Sequence, residues 1–420
     1  MNYLLRTAPK IFTGPLLKHF DSKSRECLEE ILEYTLSEES WAQAQLPTAK
    51  GGLGMRSAHS SANCAFLASV RSTRALVQAL TGDDEDRQAT ATDLYEAAAL
   101  EDCETFVDQT TLETIKVQGT PVLKKTLTTK HDEAHFQKLL SAGTAVTRKR
   151  LDAFSAPWAD GWLRVVPSQA FDTLLSSEAL SDAVRLRLGV ETETENVPCP
   201  LCSQIMDAFG HHCLHCDAGG DTTARHNLLR DTVFREAVKA GYRPELEKPG
   251  ILPDQRPADV LAHVGPTGET TERRRLGTVA WDFAVISPFT TARFRDPNST
   301  SSSSTAEYAQ IKRTKLNTAQ RCLDQGVLFE PIVFEGAGGV ELGAKKVLEG
   351  LFRTVAGRTD SSPQEVLERV LGRISIDLQR AWRRSLTRRR TTNLQDESRS
   401  TRGPVEYYRS WAPGGASDID

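Results

Sequence analysis

The 420-residue chain has no run of 18 or more apolar residues, so nothing in it is expected to span a membrane. Its first residues, MNYLLRTAPKIFTG, lack the apolar core and cleavage site of a secretory signal. Both absences point to the nucleus or the cytoplasm. Those compartments are reducing, which argues against disulfides among the eight cysteines. No internal repeat is visible. The formal net charge is only −4, but it hides an uneven distribution. Residues 81–108 are acidic, with Asp83, Asp84, Glu85 and Asp86 in succession. The stretch RVLGRISIDLQRAWRRSLTRRR, 369–390, holds eight arginines and one aspartate. That basic segment is either a solvated helix face or a surface for phosphate.

Helical patterns fill residues 1–80, interrupted by the glycine-rich turn LPTAKGGLGMRS, and continue with weaker periodicity over 88–150. Pro157 and Pro167 punctuate the next stretch. TARHNLLRDTVFREAVKAG, 223–241, is an amphipathic helix with Leu229, Val233 and Ala237 on one stripe and Gly241 as its stop. Strand character appears in 258–264, 277–287 and 327–335. NSTSSSST, 298–305, reads as a low-complexity loop before a helix from Ala306 to Leu323. A helix pair is expected from Val340 to Arg390, broken at GRTDSSPQ, with a disordered tail over 396–420. The class is α+β: a helical N-terminal half, a small zinc knuckle, then a mixed central sheet flanked by helices.

CPLCSQIMDAFGHHCLHCDAGG, 199–220, concentrates four cysteines and three histidines. Two ligand pairs on short loops suit tetrahedral zinc. Cys199, Cys202, His212 and Cys216 give C-x2-C-x9-H-x3-C; His211, Cys213 and His215 are spares. A redox CxxC is the rival reading, but no βαβ pattern surrounds it. Downstream, three carboxylates lie near strand-like segments: Glu247, Asp259 and Asp282. Asp282 interrupts an apolar strand between Trp281 and Phe283, where an unpaired charge is costly. Carboxylates on neighbouring strands make an oxygen site for Mg²⁺ or Mn²⁺, which can drive phosphodiester hydrolysis. Lys312 or Lys315 could complete such a site.

The series CPLC…HHCLHC…RHN…RPADV…AWDFAVISP…AQIKRTK…FEPIVFE resembles the C-terminal region of non-LTR retrotransposon polyproteins that carry a restriction-like endonuclease. Residues 40–350 share in the resemblance. It implies a thumb-like helical remnant over 1–80, a linker over 81–195, a CCHC knuckle over 196–218 and a PD-(D/E)xK-type nuclease over 219–356. A basic helix over 357–395 and the tail follow. Asp259 and Asp282 would be the metal-binding aspartates, with Glu247 a possible third. The lysine, moved to the following helix, would be Lys312 or Lys315. The first motif departs from a plain PD, because Asp259 follows RPA. The knuckle, Arg225 and His226 of RHN, and Arg383, Arg384, Arg388, Arg389 and Arg390 would hold nucleic acid. The partners implied are target DNA and element RNA. No polymerase palm motif with paired aspartates is present, so the chain is expected to be the tail of a longer element or a truncated copy, without polymerase activity. The alternative is a non-catalytic, zinc-containing nucleic-acid-binding remnant.

Overall fold

The computed structural model describes residues 2–81, 91–117, 124–193, 195–264, 277–290, 296 and 299–393. The acidic run 83–86 and the tail 396–420 lie outside the described residues. No described helix is long and apolar enough to cross a membrane. The protein has an α+β architecture. Its chain divides into two compact units, Met1–Arg148 and Lys149–Asp420. That division falls inside the stretch 81–195 that the sequence suggests as a linker.

The first unit is helical throughout its described residues. Its helices are α1 (Asn2–Thr7), α2 (Lys10–Leu32), α3 (Glu38–Gln45), α4 (Ala58–Thr81), α5 (Ala91–Glu104), α6 (Gln109–Lys116) and α7 (Lys124–Ala142). The first turns of α8 (Ala145–Ser155) close the unit. Cys64, Phe66, Leu67, Ala99, Cys103 and Leu127 form one core, so these two cysteines serve as small apolar residues.

The second unit, which includes the short helices α9 (Gly161–Arg164) and α10 (Ser177–Leu188), is built on a four-stranded sheet in the order β3 (Arg243–Leu246), β4 (Val260–His263), β5 (Thr278–Ile286), β6 (Leu328–Glu335). The first two pairings are antiparallel and β5–β6 is parallel. The sheet is therefore mixed, as the sequence suggests. Strand β3 has no strong pattern in the sequence: it is four residues long, contains Pro244 and forms an edge. Pro331 likewise sits in the other edge strand, where its missing N–H costs nothing.

One sheet face presents Val260, Val279, Trp281, Phe283, Ile332 and Phe334 to the main core. Covering it are Leu229, Val233 and Ala237 of α11 (Asp221–Lys239), together with α14 (Leu342–Thr359) and α15 (Pro363–Asn393). The other face carries Leu261, Ala280, Ala284 and Val333 under α12 (Ser301–Thr314) and α13 (Thr318–Asp324). Successive strand residues point to opposite faces, so Asp282 shares the α12 side with Ala280 and Ala284.

Two expectations are corrected here. Residues 301–305 are not loop but the first turns of α12: Thr300 and Ser303 exchange side-chain-to-backbone hydrogen bonds in a capping box. Nor is the following helix continuous to Leu323. It breaks at Lys315–Asn317, where Leu316 and Asn317 both adopt φ +54°. Leu316 is exposed rather than on the buried stripe.

Candidate metal centre and carboxylate site

A hairpin of two-residue strands, β1 (Val197–Pro198) with β2 (Ile205–Met206), starts the cysteine-rich segment. In its turn the Cys199 N–H donates to Gln204 O at 2.7 Å and the Ser203 N–H to Cys199 O at 2.8 Å. This places Cys199 and Cys202 on one tight loop. His212 lies in the single 3-10 turn His211–Leu214 and Cys216 just beyond it. The Asp207 carboxylate accepts the N–H groups of His211 at 3.1 Å and His212 at 2.9 Å.

The potential ligand atoms of Cys199, Cys202, His212 and Cys216 all lie within 4.8 Å of one another. Among the described residues this is the one group of three or more Cys, His, Asp or Glu side chains so placed. Cys202 Sγ is 3.3 Å from His212 Nε2 and 3.6 Å from Cys216 Sγ. Zinc–sulfur bonds of ~2.3 Å in a tetrahedron place sulfurs about 3.8 Å apart, so the donor set and its spacing fit zinc. The spares stay outside. Cys213 Sγ turns to Met206 Sδ at 3.8 Å in the core, and burial pushes its thiol up to about 12. His211 stacks on Phe289 with ring centroids 4.2 Å apart.

Helix α15 closes this segment from below. Trp382 and Leu386 pack against Cys199, Met206, Cys213 and Cys216. The Trp382 Nε1–H donates to Gly210 O at 3.0 Å. Gly210 itself has φ +74°, and a Cβ there would lie 3.1 Å from the Trp382 ring. Only glycine satisfies both demands.

Two arginines expected at nucleic acid are structural instead. Arg225 is 1% exposed and donates to Cys213 O at 3.0 Å and Leu214 O at 2.9 Å. Arg389 is fully buried; it pairs with Asp221 at 2.8 Å and donates to Ala218 O at 3.2 Å. Neither can reach a phosphate. Both satisfy carbonyls that the irregular cysteine-rich backbone would otherwise bury unpaired. Three further candidates are also engaged within the chain. Arg383 pairs with Asp182, Arg388 with Asp221 at 2.8 Å, and Arg390 with Glu193. Arg384 lines a cavity of about 390 Å³ beside Arg235, Arg380 and Asp231, away from the acidic strands.

On the sheet, Val260 faces Trp281, so Asp259 follows as the antiparallel neighbour of Asp282. The Asp259 N–H donates to Trp281 O at 2.9 Å, which extends the ladder by that step. Lys312 reaches from α12 and places its Nζ 3.0 Å from Asp282 Oδ2 and 3.1 Å from Oδ1. On the other side, Asp259 Oδ2 accepts the Phe283 N–H at 2.7 Å and lies 3.0 Å from His226 Nε2. The four side chains therefore form one row: Lys312, Asp282, Asp259, His226.

No protein-family model and no curated protein matches this chain.

The electrostatics of the row divide its two acids. Burial pushes Asp282 up to about 6, aided by the neighbouring Asp259 and opposed by Lys312. Burial also acts on Asp259, yet the His226 hydrogen bond and the Phe283 N–H hold it below the ordinary carboxylate range. His226 is raised by its hydrogen bond to Asp259. Lys312 is raised as well: burial opposes its charge, but Asp282 outweighs it. Glu247 stands apart. Its N–H donates to Asp259 O at 2.9 Å, but its carboxylate turns to Arg230 at 2.9 Å and Arg256 at 2.8 Å. It is not drawn into the row. Lys315 opens the break after α12, outside the helix that carries Lys312 to the sheet. The sequence places His226 only with nucleic-acid contacts. Its position in the acidic row, 33 residues from Asp259, has no local signal.

Proposed function

We propose that the second unit is a metal-dependent endonuclease module that nicks DNA, of the kind carried by non-LTR retrotransposon proteins. The observation that carries this reading is the Lys312–Asp282–Asp259 row at the meeting of two antiparallel strands. Its two carboxylates and nearby ammonium match the chemical requirements of phosphodiester hydrolysis. Asp259 and Asp282 would hold Mg²⁺ or Mn²⁺, which supplies Lewis-acid charge against the phosphodiester oxygens. The donor set fits: two hard oxygen ligands leave the other positions for water, as Mg²⁺ prefers.

In this reading Lys312 orients the attacking water through an N–H that is not directed at Asp282. The water oxygen forms a bond to phosphorus, and the ester P–O bond opposite breaks. The water proton passes to solvent, and the leaving alkoxide takes a proton from solvent. Asp282 acts in its ionised form, and the Asp259 carboxylate is held ionised by His226 and the Phe283 amide. Zinc at Cys199, Cys202, His212 and Cys216 would be structural, because all four positions of a tetrahedron are filled by protein.

The test is nicking of supercoiled plasmid in Mg²⁺ or Mn²⁺. Asp282→Ala and Asp259→Ala should each abolish nicking while DNA binding is retained. An unmodified protein that binds DNA yet never cuts it with either metal would be a non-catalytic nucleic-acid-binding remnant.

A further inference from the structure

We infer that His226 is a positioning residue of the carboxylate site, fixing Asp259 in the orientation that leaves one carboxylate oxygen for a divalent cation. This inference rests on the nuclease reading above. Asp259 Oδ2 takes two hydrogen bonds, from the Phe283 N–H at 2.7 Å and from His226 at 3.0 Å. Both fall on the same oxygen. Oδ1 is thus the oxygen left for a ligand beside Asp282. One backbone bond alone would let the carboxylate swing about its χ2, which is a broad torsion in aspartate. A second donor from a different element removes that freedom.

His226 is itself held from two sides. Its Nδ1 lies 3.2 Å from Asn227 Oδ1. Its chain neighbour Arg225 is buried and clamps the first turns of α11 to Cys213 O and Leu214 O. Asp221, one turn earlier, binds Arg388 and Arg389 of α15. The imidazole therefore projects from a part of α11 that is tied to α15 and to the cysteine-rich segment. Adjacent residues Arg225 and His226 connect the two candidate metal centres: one holds the cysteine-rich backbone, the next holds the acidic row. Such outer-shell donors commonly change metal affinity roughly 10–100-fold.

The experiment measures Mn²⁺ affinity by calorimetry on the full chain, with zinc content checked first. His226→Ala should weaken Mn²⁺ binding at least about tenfold, and His226→Gln, whose amide can still donate, should recover most of it. In nicking assays His226→Ala should lower kcat with KM for DNA unchanged. Three results would overturn the inference: Mn²⁺ affinity unchanged in His226→Ala, no recovery in His226→Gln, or a raised KM with kcat unchanged, the signature of a DNA contact. Asp282→Ala separates the two levels. If Mn²⁺ binding is lost in Asp282→Ala but the unmodified protein never nicks DNA, the nuclease reading fails and the affinities still judge His226. If no Asp282-dependent Mn²⁺ binding exists, both fail.

Discussion

Asp282 is the residue at which competing effects are easiest to weigh. Burial on the α12 side of the sheet favours its protonated form, and Lys312 only partly offsets that cost. A proton and a divalent cation therefore compete for the same carboxylate near pH 6. Mn²⁺ affinity should be level above about pH 7 and fall about tenfold per pH unit below 6, measurable by calorimetry between pH 5 and 8. His226 and Asp259 behave in the opposite sense for stability. The raised histidine stabilises the fold fully below its unfolded value of 6.5 and loses that contribution as pH rises through its folded value. The lowered aspartate contributes above 3.8 and loses its share as pH falls through its folded value. Their mutual benefit is complete between those two values. His226→Ala should therefore lower the melting temperature more at pH 5 than at pH 9. The two lysines should separate clearly: Lys312→Ala should slow nicking about a hundredfold, whereas Lys315→Ala should leave it nearly unchanged. A reversal would mean that the break after α12 rearranges on binding substrate.

Among the elements, α15 joins the two parts of the second unit. Val366, Val370, Ile374, Leu378, Trp382 and Leu386 recur every fourth residue and are all buried. The first four pack under the sheet and the last two under the cysteine-rich segment. Trp382→Ala should cost about 3–5 kcal/mol in chemical denaturation. It should also weaken metal retention, since the ring packs against the segment that carries Cys199 and Cys216. Metal analysis should find one zinc per chain; Cys202→Ser should lower it sharply and Cys213→Ser should not, because Cys213 faces Met206. Breaking the buried Arg389–Asp221 pair from one side should destabilise by about 3–5 kcal/mol. A double replacement by apolar residues of similar volume should recover much of that, although Arg388 would then lose its partner too.

For the whole molecule, the basic run 369–390 has a different role from the one its charge suggests. Arg373 and Arg380 flank the buried Asp377 and both reach Asp172. With Arg383, Arg388, Arg389 and Arg390 already paired, most of the run neutralises acids of the same unit. Replacing Arg383, Arg388 and Arg390 together should change the salt dependence of DNA binding little and lower the melting temperature instead. The four clustered Cys and His residues, both aspartates, His226 and Lys312 lie in Lys149–Asp420. Residues 149–420 expressed alone should therefore retain both zinc and Mn²⁺ binding.

From the sequence alone, the elements with strong local signals are legible. These are the apolar stripe of α11, the strands around 258–264, 277–287 and 327–335, the helix break near Asp360, and the grouping of Cys199, Cys202, His212 and Cys216. Each depends on residues a few positions apart, where backbone period and ligand spacing act directly. The order of helical and strand-like patterns also points to the α+β class. The tertiary structure alone decided the rest. It interrupted the helix that follows Thr300 at Leu316 and set Lys312 rather than Lys315 against Asp282. It buried Arg225 and Arg389 under irregular backbone and brought His226 to Asp259. These outcomes turn on which distant carbonyl or carboxylate an amphipathic side chain meets. An arginine's sequence neighbourhood is the same whether its charge ends in solvent, on a phosphate or on a buried aspartate. Only the packing of α11 and α15 on the sheet and the cysteine-rich loop distinguishes them.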